Sequence, residues 1–269
     1  MPGGHRAGTF FSALRPAMGW AYLLAGGAIG DAEELKRIAA YAAVDRYVES
    51  GMVLGLGSGT TSAHVVKRIG ELLAGGELRE VRGIPTSERT AALARELGIP
   101  LLALAEARPQ LTIDGADEIA PNLDLIKGRG GALLREKIVA SASETGLVVV
   151  ADATKPVEVL GSAGPLPVEV EPFGWESTLV ALSSLGCEPT LRADRRDGRR
   201  PFVTDGGHYT ADCAFDEIPD PHALQSEIKG IPGALETGLF VGLARAAVVA
   251  RGGGAPGGAE SGAEIMEAQ

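Results

Sequence analysis

GMVLGLGSGTTSAHVVKRIGELLAGG, Gly51–Gly76, reads as one unit: an apolar run, a glycine turn and a helix. GMVLGLG is short and apolar, which marks a buried strand, and TTSAHVVKRIGELLAGG carries apolar residues at helical spacing up to Gly75. Between them lie three alternate glycines, Gly55, Gly57 and Gly59, with Ser58, Thr60 and Thr61. Glycines let the backbone come close to a ligand, and hydroxyls with free amides at a helix start suit a phosphate. The same turn also serves folding alone, and both readings stand at this point. It is not a P-loop, because no Gly-Lys-Ser/Thr follows, and the glycine spacing departs from GxGxxG. His64, one turn into the helix, reads as a packed or surface histidine rather than a ligand.

Outward from this unit the alternation repeats. DAEELKRIAAYAAVDRYV precedes it as a helix with Asp31 at its N-cap. EVRGIPTS, the helix SERTAALARELGI, a strand in PLLALAEA, QLTIDGAD, DLIK, the helix GALLREKIVASASE and the strand GLVVVADATK follow. Strands alternating with helices predict a largely parallel, Rossmann-like α/β sheet. After about residue 160 the pattern becomes strand, helix, strand, strand, helix, strand, with a hairpin in RPFVTDGGHYTADCAF turning at DGG and a strand in ALETGLFVG. That order predicts a second, smaller α+β domain of ferredoxin-like kind. The expected boundaries are an extension over 1–30, an α/β catalytic domain over 31–160 and 244–252, the α+β domain over 161–243, and a disordered tail over 253–269. The extension reads as dispensable, with Met18 as an alternative start.

In parallel sheets ligands bind beyond the carboxyl ends of the strands. Four polar clusters directly follow strands here: Ser58–Thr61, Asp114–Asp117, Lys127–Gly131 and Asp152–Lys155. All four are expected on one rim. DGADEI offers carboxylates for acid–base work on a polyol, for a hard cation, or merely for an acidic turn. In KGRGGALLREK, Lys127 sits at a strand end, where a cation can stabilise an oxyanion, and Glu136 lies on the helix as a base or as ordinary surface. A base there should keep its carboxylate ionised at pH 7, with partial burial balanced by lysine. Glu136 should face the cleft and Arg135 and Lys137 should face elsewhere, about 100° to either side.

Composition narrows the classes. The chain has 269 residues, 45% of them hydrophobic, and room for one large or two moderate domains. Its net charge of -10 argues against a nucleic-acid or anionic-membrane binder. Aromatics make up only 4%, too few for a base-stacking platform. Cys187 and Cys213 show no CxxC spacing and read as reduced cysteines of a cytoplasmic protein. The apolar part of the first 30 residues is too short to span a membrane.

GMVLGLGSGTTSAH, TIDGADEI, LIKGRGGALLREKIV and VVVADATKPVEVLG, in this order, resemble the A-type ribose-5-phosphate isomerase family, and PLPVEV, FVTDGGH and ETGLFVG agree. Several gapless motifs in fixed order weigh more than any one of them. The resemblance implies interconversion of D-ribose 5-phosphate and D-ribulose 5-phosphate with no cofactor and no metal. It implies Glu136 as proton acceptor, Asp114 and Asp117 as substrate-contacting carboxylates, and Lys127 as the substrate lysine. Substrate binding would fall to Ser58, Gly59, Thr60 and Thr61, to Gly115 and Ala116 with their flanking aspartates, to Gly128, Arg129 and Gly130, and to Lys155. A family lysine on the first helix corresponds to Lys36 or Arg37. Arg129 stands where glycine or an apolar residue is usual, and either a phosphate contact or solvent was open to its side chain. A homodimer or homotetramer is implied. The rival readings are a sugar-phosphate-sensing regulatory domain without turnover and a related amino-sugar-phosphate deaminase or CoA transferase.

Overall fold

The structure, a computed structural model, describes residues 32–252 and 262–267. The expectations for the 1–30 extension, the Met18 start and the Asp31 cap lie outside the described residues. The chain runs α1 (Ala32–Tyr47), β1 (Val53–Leu56), α2 (Thr60–Gly75), β2 (Arg82–Pro85), α3 (Glu88–Glu96), β3 (Leu111–Gly115), β4 (Glu118–Ile119), β5 (Leu125–Ile126), α4 (Leu133–Ala142) and β6 (Leu147–Asp152). It continues with β7 (Leu166–Val170), α5 (Trp175–Ser183), β8 (Glu188–Leu191), β9 (Tyr209–Ala214), α6 (Pro221–Lys229), β10 (Ala234–Thr237), β11 (Leu239–Phe240), β12 (Ala244–Arg251) and β13 (Gly262–Glu267).

A six-stranded sheet runs in the order β13-β12-β6-β3-β1-β2. Every pair in it is parallel except β12–β13. Parallel strands are buried on both faces, hence their continuous apolar runs. Strand β6 shows how both faces are filled. Val148 and Val150 enter the core beneath α1 and α2, while Leu147, Val149 and Ala151 enter the core on the opposite face. This is the two-residue alternation of a strand. Each fully buried Val or Leu contributes about 1.5–3 kcal/mol relative to an exposed one.

The order reverses at β1. The chain leaves β1 for β2 on one side, then returns to β3 on the other. Crevices at such a reversal are where α/β sheets hold ligands. The turn after β1 and the end of β3 therefore meet at the favoured place.

The second sheet, β10-β7-β9-β8, is antiparallel throughout and carries α5 and α6 in the expected βαββαβ order. A third, three-stranded sheet β11-β5-β4 stands beside it. Gly238 links β10 to β11, and a Cβ there would lie 2.2 Å from the Lys127 carbonyl. Only glycine lets the chain cross so close to that strand end.

Three expectations are corrected. PLLALAEA forms no strand; only a Gly83–Leu101 bridge extends the sheet edge, and Leu102, Leu104 and Ala107 pack instead against Val53, Ile84 and Val139. The hairpin at DGG has one regular arm. Thr204 N donates to His208 O at 2.9 Å across the turn, but β9 is already flanked by β7 and β8. The 201–204 arm therefore runs beside Arg192–Asp194, with Phe202 N on Arg192 O at 2.8 Å. Finally, Gly262–Glu267 is not disordered but forms β13, antiparallel to β12. An open edge offers unpaired backbone groups, and this strand satisfies them while its side chains stay mostly exposed.

Candidate active site

The turn after β1 is built around Asp114. A Cβ on Gly57 would lie 2.1 Å from Asp114 Oδ1 and 2.6 Å from its Cα, so only glycine fits between the ends of β1 and β3. Gly59 has φ +107°, in the region that favours glycine. Asp114 Oδ1 accepts from Ser58 N at 3.0 Å, Ser62 Oγ at 2.9 Å and its neighbour's Gly115 N at 2.7 Å. The Ser58 hydroxyl points the other way, into a cluster with Thr86 Oγ1, Ser87 Oγ and Thr90 Oγ1. Thr60 and Thr61 open α2, whose start has no side-chain cap. Its first amides and the positive end of the helix dipole are left for an anion.

The other oxygen of Asp114 faces a lysine. Lys127 Nζ lies 2.9 Å from Asp114 Oδ2 and 3.3 Å from Glu136 Oε2. All three side chains are 5% exposed or less. The ammonium directs its hydrogen bond at Gly115 O, 2.5 Å away. Asp114 Oδ2 and Glu136 Oε2 sit within ion-pair range of it without a well-directed hydrogen bond from any group. The Lys127 charge holds both oxygens.

Glu136 reaches this place because α4 lays Leu133, Glu136, Val139 and Ala140 along one buried face. Burial first, then the Asp114 charge, push its pKa up to about 8, against the pull of Lys127. Its burial is deeper than the partial burial expected, which draws the carboxyl toward its protonated form while Lys127 opposes that. Burial also opposes the Lys127 ammonium, but Asp114 and Glu136 outweigh it and hold its pKa above the usual lysine value.

The remaining candidates are distributed unevenly. Asp117 Oδ2 accepts from Arg129 N at 2.9 Å, tying the acidic turn to the glycine loop. Gly115 contributes its carbonyl to Lys127, and Ala116 packs against the apolar core. Gly128 has φ +104°, and Gly130 is exposed. The Arg129 guanidinium takes neither course open to it in the sequence. It pairs with the fully buried Glu118 at 2.5 Å, and Glu118 also accepts from Gly161 N and Ala163 N. Lys155 follows β6, and its carbonyl accepts from Ile119 N at 2.9 Å; its ammonium makes no ion pair among the described residues. Lys36 shares Glu33 with His64 of α2, whereas Arg37 pairs with Glu34. Arg135 and Lys137 are spent elsewhere, on Glu88 and on Glu236.

Two contributors were missed from the sequence. Ser62 is fully buried and donates to Asp114; the third hydroxyl in TTS was its signal. Arg192, from β8's C-terminal end, donates to Gly128 O and Arg129 O, and nothing in EPTLRA announced it. Two surface grooves, of about 310 and 320 Å³, are not lined by Asp114, Lys127 or Glu136. The chemistry of the trio, not groove size, marks the site. Among the described residues no group of three or more His, Cys, Asp or Glu side chains is arranged to hold a metal. No described helix is long and apolar enough to cross a membrane.

Residues 82–254 match the family of ribose 5-phosphate isomerase A (phosphoriboisomerase A). The ribose-5-phosphate isomerase A of Gloeobacter violaceus is 57% identical over 226 residues, covering 83% of this chain and 95% of that one. A solved D-ribose-5-phosphate isomerase in complex with phospho-erythronic acid has a TM-score of 0.81 at 37% identity, covering 88% of this chain and 100% of its own. The ribose 5-phosphate isomerase A from Methanocaldococcus jannaschii gives 0.80 at 37%, with the same coverages, 88% and 100%.

Proposed function

The chain belongs to the ribose 5-phosphate isomerase A family and interconverts D-ribose 5-phosphate and D-ribulose 5-phosphate, and we propose that Glu136 is the base that carries the proton between C2 and C1. The supporting observation is its carboxyl, buried 3.3 Å from the Lys127 ammonium and raised to a pKa of about 8. A base poised near the working pH is the efficient one.

In the open-chain aldose, the Glu136 carboxylate takes the proton from C2. The released electron pair forms the C1–C2 double bond, and O1 becomes an oxyanion. Lys127 stabilises this enediolate. The O2 proton passes to O1, the C2 carbonyl forms, and C1 takes its proton from Glu136. Asp114 and Asp117 hold the sugar hydroxyls and assist ring opening. The start of α2, with Thr60 and Thr61, and Lys155 serve the phosphate.

The 57% identity with an isomerase over 95% of that relative's length favours this reading over the regulatory, deaminase and CoA-transferase readings. A cytoplasmic homodimer or homotetramer completes the proposal. The decisive assay follows ribulose 5-phosphate formation from ribose 5-phosphate with wild type and Glu136→Gln. Turnover by wild type and its near-complete loss in a folded variant that still binds the sugar phosphate are expected. Wild-type-like turnover by the variant overturns the assignment of the base.

A further inference from the structure

The loop Gly128–Gly131 joins Lys127 to the helix that carries Glu136, and the small domain grips it. Arg192 Nη1 donates to Gly128 O at 3.1 Å and to Arg129 O at 3.2 Å. Its Nε donates to Asp212 Oδ2 at 2.8 Å, and its Nη2 to Asp212 Oδ1. Phe202 lies against the same guanidinium, 5.8 Å from ring centre to Cζ. That ring also fills the space beside Gly131, where a Cβ would lie 2.3 Å from it.

The consequence follows from the planar trans peptide, in which C=O and N–H point in opposite directions. The carbonyls of Gly128 and Arg129 are both drawn toward Arg192, so the amides of Arg129 and Gly130 are turned the other way. The first of these amides does reach Asp117 Oδ2, at 2.9 Å. Gly130 itself is exposed, and its amide makes no hydrogen bond among the described residues. A guanidinium on the carbonyl side also polarises each peptide unit and strengthens its N–H as a donor.

We propose that Arg192 is a positioning residue for the isomerisation: from the small domain it sets the Arg129 and Gly130 amides, the first to orient Asp117 and the second to donate to an oxygen of the sugar phosphate. The inference rests on the isomerase reading above. Arg192 touches no reacting atom and acts through the loop.

The test compares Arg192→Met and Arg192→Lys with wild type in kcat, KM for ribose 5-phosphate, and Tm. A misplacement of about 1 Å can cost about 10²-fold in rate. Arg192→Met is expected to lose about 10- to 100-fold in kcat, with KM less affected because the start of α2 is untouched. Arg192→Lys keeps the charge opposite Asp212 but cannot hold the carboxylate and both carbonyls together. Its Tm is expected to return near wild type while kcat stays at least about tenfold down. Recovery of both Tm and kcat in Arg192→Lys would mean a purely structural role and overturn the proposal, as would unchanged kcat in folded Arg192→Met. If Arg192→Met fails to fold, the lysine variant alone decides. Absence of isomerase activity in wild type would instead sink the functional reading, so the two failures are distinguishable.

Discussion

Glu136→Gln separates the two jobs of the buried carboxyl, because glutamine keeps its shape and cannot ionise. The folded pKa is raised from 4.5 to about 8. The protonated carboxyl is therefore the form the fold prefers. Its contribution is full below about pH 4.5 and is lost as pH rises toward 8. Each pKa unit corresponds to about 1.4 kcal/mol. At pH 7 the wild type has lost about 3 kcal/mol that the glutamine variant keeps. For a chain of this size that is about 6–12 °C in Tm. Thermal melts of both proteins from pH 4.5 to 8.5 should show the variant's advantage starting near zero, growing through neutrality and levelling above pH 8. Other titrating groups are common to both proteins and largely cancel in the difference. In the same samples turnover should fall by about 10²–10⁴-fold. A Tm difference that is flat with pH would refute the burial argument. Turnover within tenfold of wild type would refute the base.

Four further outcomes follow from the same geometry. Log kcat/KM should rise with pH and flatten near pH 8, because only the carboxylate accepts the proton; an acid limb near pH 4.5 contradicts this. Asp114→Asn removes a charge that raises the Glu136 pKa, so its residual activity should show an acid limb at lower pH than wild type; no movement of the limb would exclude coupling between the two carboxyls. Gly57→Ala puts a methyl 2.1 Å from Asp114 Oδ1 and 2.6 Å from its backbone Cα, which should cost about 1–3 kcal/mol and most of the turnover; a neutral result in melts and kinetics would refute the close approach. Dialysis against EDTA should leave turnover unchanged, since the Lys127 ammonium occupies the place between the carboxylates; loss restored by Mg²⁺ would revive the cation reading of DGADEI.

The layers of the fold were legible because their signals are local. An apolar run followed by a glycine turn and an amphipathic stretch specifies β1, α2 and their right-handed return without help from distant residues. What failed was non-local. RPFVTDGGHYT carries a hairpin turn, but whether its first arm pairs depends on β8 having already taken that edge of β9. GAEIME lacks the burial that marks a strand and pairs only because β12 leaves an edge open. Arg129 and Arg192 illustrate the same limit in the site: an arginine's partner is chosen by which carboxylate the tertiary fold brings nearby, buried Glu118 for one and partly exposed Asp212 for the other.

Glu136 was more legible than its neighbours suggested. Arg135 and Lys137 make the triplet look solvated, yet Leu133, Glu136 and Ala140 fall at i, i+3 and i+7, on one helical face. A carboxylate in the middle of an apolar stripe is costly unless paired or protonated. Both remedies operate here. With the Lys127 ammonium between Asp114 and Glu136 and the Glu136 carboxyl drawn toward its protonated form, the buried trio carries little net charge. A dianionic sugar phosphate then meets little repulsion from it on entry. Burial and the Asp114 charge oppose ionising Glu136, and in return the carboxylate formed is a stronger base than an exposed glutamate. The second carboxylate is thus part of the tuning: the Asp114 charge adds to the burial that raises Glu136 and works against the pull of Lys127.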